Sequence, residues 1–227
     1  MSVRYNDLIS DAQLEEAALK SMAGLTIASN QVAIQEAIRD TTDRFESFFD
    51  RFFIVRSFTQ RIPINAWSYN RLLERYVAWA SDKPIVEIKS IVDTAGSTIS
   101  GTTVTREKSS PNSSYNWFAT STPRDCRVTY FSGYKRSDQA LADLTGTGPG
   151  QGGLTTLTVT PDDLPSDVRR KAIELAMLYM RRALDGTLGS SSRMQQVGSQ
   201  VVTVNAIDSR AEDKILESIA GAYKRRV

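Results

Sequence analysis

Few residues in this chain could do chemistry, and their spacing argues against it. The 227 residues include no histidine, which removes the side chain that most often acts as a general base near neutral pH or as a metal ligand. The one cysteine, Cys126, allows neither an internal disulfide nor a cysteine-based zinc site. It falls in a run that reads as a strand, with no clear basic partner, so a buried structural thiol fits better than a nucleophile. Ser132 before Gly133 lacks a Gly-x-Ser-x-Gly context, and without histidine no Ser-His-Asp relay can be built. Asp162, Asp163 and Asp167 cluster where a helix should start, and carboxylates there complement the helix dipole. Gly148, Gly150 and Gly153 in "TGTGPGQGG" match G-x-G-x-x-G. However, Pro149 sits inside the match and "LTTLTVT" after it reads as a strand, whereas a dinucleotide loop must open a helix. "FDRFFIVRSF" interleaves aromatics with cations, as single-strand-binding surfaces do, yet the same aromatics complete a helix stripe. The expectation is a chain with no catalytic residue, no metal and no cofactor.

Composition bounds the class of the chain. Hydrophobic residues are 41% and charged residues 24%, ordinary for a foldable globular chain. A net charge of +2 is too close to neutral for a protein held mainly by many phosphate contacts. No apolar run approaches a membrane span, and "MSVRYNDLIS" lacks a basic-then-apolar signal layout. These features suit a soluble product of a reducing cytoplasm.

The elements follow from periodicity. Ser10 and Gln13 have capping-box spacing, followed by Leu14, Ala17, Ala18 and Met22 on one helical face, with Gly24 as a stop. Ile34, Ile38, Phe45, Phe48, Phe49 and Phe52 form the stripe of a strongly amphipathic helix, read as fold core or, less simply, as a ligand pocket. From Ile54 to Tyr134 the period becomes two: Phe58, Ile62 and Ile64 alternate with Thr59 and Arg61; Val86 and Ile88 alternate with Glu87 and Lys89; Val128 and Tyr130 share a face. The runs "DTAGSTISGTT" and "EKSSPNSS" read as turns or a long mobile hairpin tip, and "REKSSPNSSYN" (106–116) is expected to be that tip. Residues 145–153 read as a flexible linker or loop.

A long helix then begins at Pro165 and ends near Gly186. Its two adjacent stripes, Val168–Ala172–Leu175–Tyr179–Ala183 and Ile173–Met177–Met180–Leu184, cover about half the circumference, wider than one core needs. Either the helix is central in its domain or it also packs on another subunit. A Ser-rich connector, a short strand "VVTV", and a last helix follow. That helix has Ser209 and Glu212 at capping-box spacing, an apolar stripe of Ile215, Ile219, Ala222 and Tyr223, and a basic end. The expected class is α+β, an α-helical bundle with an inserted antiparallel β-sheet and long β-hairpin. Expected divisions are 1–53 (N-terminal helices), 54–160 (inserted β region), 161–207 (long helix and connector) and 208–227 (C-terminal helix and tail).

This order resembles the head–tail connector (adaptor, or head-completion) family of tailed double-stranded DNA bacteriophages. The residues that carry the resemblance are "SFTQRIPI" after the Phe-rich helix, "PIVEIKSIV", Val128–Tyr134 with its Tyr-x-x-Gly-Tyr, "LPSDVRRKAIELAMLYMRR" and "LESIAGAYKRRV". The resemblance spans about residue 30 to the C-terminus; the earlier helix and the Gly-rich insertion depart from compact members. It implies a non-enzymatic virion protein at the head–tail junction, made in the host bacterial cytoplasm. Such a subunit would form a homo-oligomeric ring of about twelve copies under the portal protein, join the next neck or tail protein, and pass double-stranded DNA without reading its sequence. Portal contact would fall to Ile215, Ile219, Tyr223, Lys224, Arg225, Arg226 and Val227. Lumen or next-ring contact would fall to Arg106, Glu107, Lys108, Asn112 and Tyr115. Other readings are a stopper or tail-completion ring, a cytoplasmic nucleic-acid-binding module, and an enzyme working without histidine.

Overall fold

A computed structural model describes residues 4–21, 31–99, 104–108, 114–184, 193–197, 200–204 and 209–223. Met22, Gly24, Asn112, Gly186 and Lys224–Val227 lie outside them. Two units divide the chain: residues 1–51 with 165–227, and residues 52–164. The class is α+β, with the β unit inserted in sequence between halves of a helical unit.

The helical unit holds α1 (Asp11–Ser21), α2 (Gln31–Phe49), α4 (Ser166–Leu184) and α5 (Ser209–Tyr223). The start of α1 carries the expected reciprocal cap: Gln13 N–H donates to Ser10 Oγ at 3.3 Å and Ser10 N–H to Gln13 Oε1 at 3.2 Å. These bonds satisfy two amides that the helix itself leaves unpaired. On α2, Ile34, Ala37, Ile38, Phe45 and Phe49 are buried while Glu36, Asp40 and Asp43 are exposed. The helix stops three residues short of Phe52, because Asp50 takes a positive φ of 49°. Phe52 is therefore no part of the stripe; it is exposed in the other unit, beside Phe58 and under Arg56. α4 is the central helix, packed on α1, α2 and α5, and Val168, Ala172, Leu175, Ala176 and Met180 are buried. Three neighbours account for its wide apolar arc. The "connector" contains a strand that its polar composition hid: β8 (Arg193–Val197) pairs antiparallel with β9 (Gln200–Val204).

The β unit holds two antiparallel sheets, where the sequence suggested one. β1 (Arg56–Ile62), β7 (Cys126–Ser132) and β4 (Ile85–Val92) form the first, with β7 in the middle. β2 (Ser68–Asn70), β3 (Arg75–Trp79), β6 (Tyr115–Thr120) and β5 (Thr105–Lys108) form the second. Their shared core includes Ile62, Trp67, Ala78, Phe118, Val128 and the fully buried Tyr130. β4 does not alternate simply: register shifts fall between Ile85 and Glu87 and between Ile88 and Ser90, and Ile85 and Val86 are both buried. Ile64, expected to continue the β1 alternation, is exposed in a short 3-10 turn after Pro63.

Gly133 explains the Tyr-x-x-Gly-Tyr spacing. Its φ is +123°, and a Cβ there would stand 2.7 Å from the Val55 backbone nitrogen. The close approach lets Val55 N–H donate to Tyr134 O and Tyr134 N–H to Phe53 O, both at 2.8 Å. Only glycine accepts both that φ and that contact.

The insertion after β7 is folded rather than a loose linker. α3 (Leu141–Thr145) starts it, and Leu144 is fully buried. Its glycine amides bond back locally: Gly152 N–H to Asp143 O and Gly153 N–H to Gly146 O, with Gly148 N–H on Gln151 Oε1 at 2.7 Å. "LTTLTVT" is not a strand. Thr158 donates its backbone N–H (2.8 Å) and its hydroxyl (2.7 Å) to the Glu87 carboxylate, while Lys89 holds Thr156 O. This segment lies along the outer side of β4, where the Lys89 ammonium stands 5.5 Å from the ring of buried Phe131.

Candidate functional site

The expected surface residues fall in three places. α5 carries the first set. Its inward side is Glu212, Leu216 and Ile219, all buried. Sequence reasoning chose Ile215 for the stripe and passed over Leu216, the residue with no exposure; four-residue spacing from Glu212, read as apart from the stripe, was the available signal. Ile215 instead lines a groove between α4 and α5, with Met177, Leu178, Lys171, Arg181 and Lys214 around it. Ala222, also assigned to the stripe, is exposed. Tyr223 is half-buried, and its hydroxyl donates to Asp167 Oδ1 at 2.9 Å. The end of α5 is thereby tied to the start of α4.

The same helix pair holds a buried polar cluster that the sequence did not suggest. The Glu212 carboxylate accepts from Tyr179 Oη at 3.1 Å and from Arg182, and Arg44 stands 3.5 Å from it. Arg44 also reaches Asp213 Oδ1 at 2.6 Å. One carboxylate thus joins α2, α4 and α5, and Glu212 serves the interior of the unit. Burial, and then the negative charge of Glu212, pushes the Tyr179 phenol well above its ordinary range. A neutral phenol is the form that donates this bond.

The hairpin set lies in the β unit. Arg106–Lys108 and Tyr115 sit in paired strands β5 and β6, register Arg106↔Phe118 and Glu107↔Trp117, so the mobile tip expected across 106–116 cannot include them. Arg106 is turned onto the carbonyl of Val86 and stacks 4.2 Å over the Tyr115 ring. Glu107 stands 3.7 Å from Arg75, and Lys108 stands 4.9 Å from Tyr115. On this sheet Trp79 and Trp117 meet edge to face at 4.9 Å, with Trp79 exposed and Lys83 beside it.

The residues weighed for chemistry are scattered. Cys126 is buried, and burial followed by the Asp125 charge pushes its thiol up, away from the reactive thiolate. Asp163 pairs with Lys135 in the β unit, and Asp167 holds Tyr223 in the helical unit. Ser132 Oγ donates to Pro84 O at 2.9 Å. Among the described residues no group of His, Cys, Asp and Glu could hold a metal ion, and no helix is long and apolar enough to cross a membrane.

No protein-family profile and no curated protein matches the chain. Among solved structures, it is similar to a chain in "Neck of empty GTA particle computed with C6 symmetry". The likeness covers 100% of this chain and 95% of that one, at 12% sequence identity and a TM-score of 0.45.

Proposed function

We propose that this chain is a structural subunit of a phage-type neck, an adaptor that forms a ring of about twelve copies under the portal. It joins the head to the next neck or tail protein and lets DNA pass through its lumen. The element order that resembles that family in sequence supports this reading, as do the paired hairpin β5–β6 and a near-neutral charge of +2, which suits a conduit that must not grip DNA. The observation that carries it is the Tyr223–Asp167 bond at 2.9 Å. It anchors the end of α5 on the helical unit, next in sequence to the basic residues Lys224, Arg225 and Arg226. With Ile219 buried and Ile215 in the groove beside α4, portal contact falls to Tyr223 and residues 224–227. The hairpin residues Arg106, Glu107, Lys108, Asn112 and Tyr115 face the lumen or the next ring in this reading.

The test is co-purification of portal with the full chain and with a chain ending at Tyr223. The expected result is a complex with the full chain only, both chains melting at the same temperature. Cations at the contact should steer association, so loss should be greatest at low salt. Portal binding unchanged in the shortened chain would reject the docking assignment. Absence of the protein from the head–tail junction of labelled virions, or nanomolar binding to one duplex sequence at physiological salt, would reject the adaptor reading itself.

A further inference from the structure

The helical unit presents two unlike surfaces that fit each other but cannot meet within one copy. The first is the outward side of α2, where Glu36, Asp40 and Asp43 are exposed together with Val32, 70% accessible and one turn ahead of Glu36. These positions lie on one helical face, opposite the buried Ile34, Ile38 and Phe45. The Asp40 carboxyl is pushed above its usual range, first by partial desolvation and then by Asp43 and Glu36, against a smaller lowering from Arg39; Asp43 already faces Arg4 at 3.5 Å, so Glu36 and Asp40 are the carboxylates that a cationic partner would relieve. The second surface is the groove between α4 and α5. Its floor is Met177, Leu178 and Ile215, and Lys171, Arg181 and Lys214 stand on its rim with Glu174. Lys171 is paired with Glu174 at 2.7 Å, whereas Arg181 and Lys214 have no ion-pair partner among the described residues.

We infer that the acidic face of α2 on one copy seats in the α4–α5 groove of the next, Val32 against the apolar floor and Glu36 and Asp40 against Arg181 and Lys214. This rests on the ring reading above and gives it a subunit contact. The occupant is a second copy of this chain because the same unit carries both complementary halves. α2 turns its other side to α4, so a copy cannot fill its own groove. Contact between two different patches is heterologous, and such contacts generate closed rings or open filaments rather than two-fold dimers. The opposite charges fix register and partner, while the apolar floor supplies the burial.

Charge reversal in the full-length chain tests this. One variant carries Glu36→Lys with Asp40→Lys, a second Arg181→Glu with Lys214→Glu, and a third all four changes. All four side chains are exposed, and circular dichroism and melting temperature check that each variant folds. Sedimentation velocity across a concentration series at low and high salt reads self-association. The wild type is expected to assemble, and either double variant alone to assemble about tenfold or more weakly. An equimolar mixture of the two, and the fourfold variant alone, should regain assembly, because each contact again joins opposite charges. Unchanged assembly in either double variant, failure of both rescues, or a wild type that stays monomeric throughout would overturn the inference. Virion labelling and duplex binding decide the adaptor reading separately, so the two can fail independently.

Discussion

Tyr179 on α4 donates a hydrogen bond to Glu212 on α5 at 3.1 Å, within a cluster that also draws in Arg182 and, from α2, Arg44. Removing the hydroxyl in Tyr179→Phe should cost about 1 kcal/mol at neutral pH, the usual net worth of such a bond. The pH dependence has a definite sign. Burial and Glu212 raise the phenol above its ordinary value of 10.0, so the folded state keeps a proton that the unfolded state releases. The contribution is complete below about pH 10 and fades as pH rises toward the folded value. Denaturant midpoints measured from pH 8 to 11 should fall more steeply in the wild type than in Tyr179→Phe.

Glu212 itself should matter more. Glu212→Ala would take this carboxylate from Arg182, 12% exposed, and leave Arg44 to Asp213. Breaking a buried pair from one side costs about 3–5 kcal/mol. Glu212→Gln keeps an acceptor for Tyr179 and should lose less. Chemical denaturation followed by far-ultraviolet circular dichroism, which is weighted toward the helical unit, would rank the three proteins.

Gly133→Ala should destabilise the β unit by at least about 2 kcal/mol, since strain at a positive φ adds to a clash with fixed backbone. Amide exchange of β1 and β7 reads this directly. Protection equal to wild type would show that the Val55 backbone can withdraw from the 2.7 Å at which the added Cβ would meet it. Gly96, also at positive φ but with nothing within 4 Å, serves as the control, where Ala should cost less.

Glu87 ties the inserted segment to β4 and gives a second pH signature. Burial alone would raise its pKa, but bonds from Thr158, Lys89 and Val159 outweigh that and lower it to about 2. Its stabilisation is present above the unfolded value near 4.5 and is lost as pH falls toward about 2. Glu87→Gln should therefore be less stable than wild type at pH 7 and nearly equal to it near pH 2. A difference independent of pH would locate the effect in packing rather than charge.

Periodicity made the helices legible because a stripe on α2 or α4 repeats over several turns. Ends were less legible: Phe52 fits the α2 spacing, and only the backbone turn at Asp50 excludes it. β2 and β3 went unread because Tyr69 and Trp79 are exposed apolar residues that blur alternation in short strands. "LTTLTVT" has strand composition, yet its Thr158 and Val159 amides go to the Glu87 side chain, a tertiary partner that no local pattern encodes. Of the candidate surfaces, Tyr223 and the hairpin residues could be named from sequence. The Glu212 cluster and the groove could not, because they join residues from helices far apart in the chain.

That separation sets an order of events during synthesis. Arg44 and Asp213 meet across 169 residues, and the whole of Phe52–Leu164 leaves the ribosome before α4 exists to cover α2. At about 5–20 residues per second the wait is on the order of ten seconds. The β unit is contiguous and can complete its sheets in that time, while Phe45 and Phe49 of α2 have no α4 to close over them. The unit that begins the chain is therefore the last to fold, and the yield of folded chain depends on how well that apolar face is kept from other nascent chains until α4 arrives.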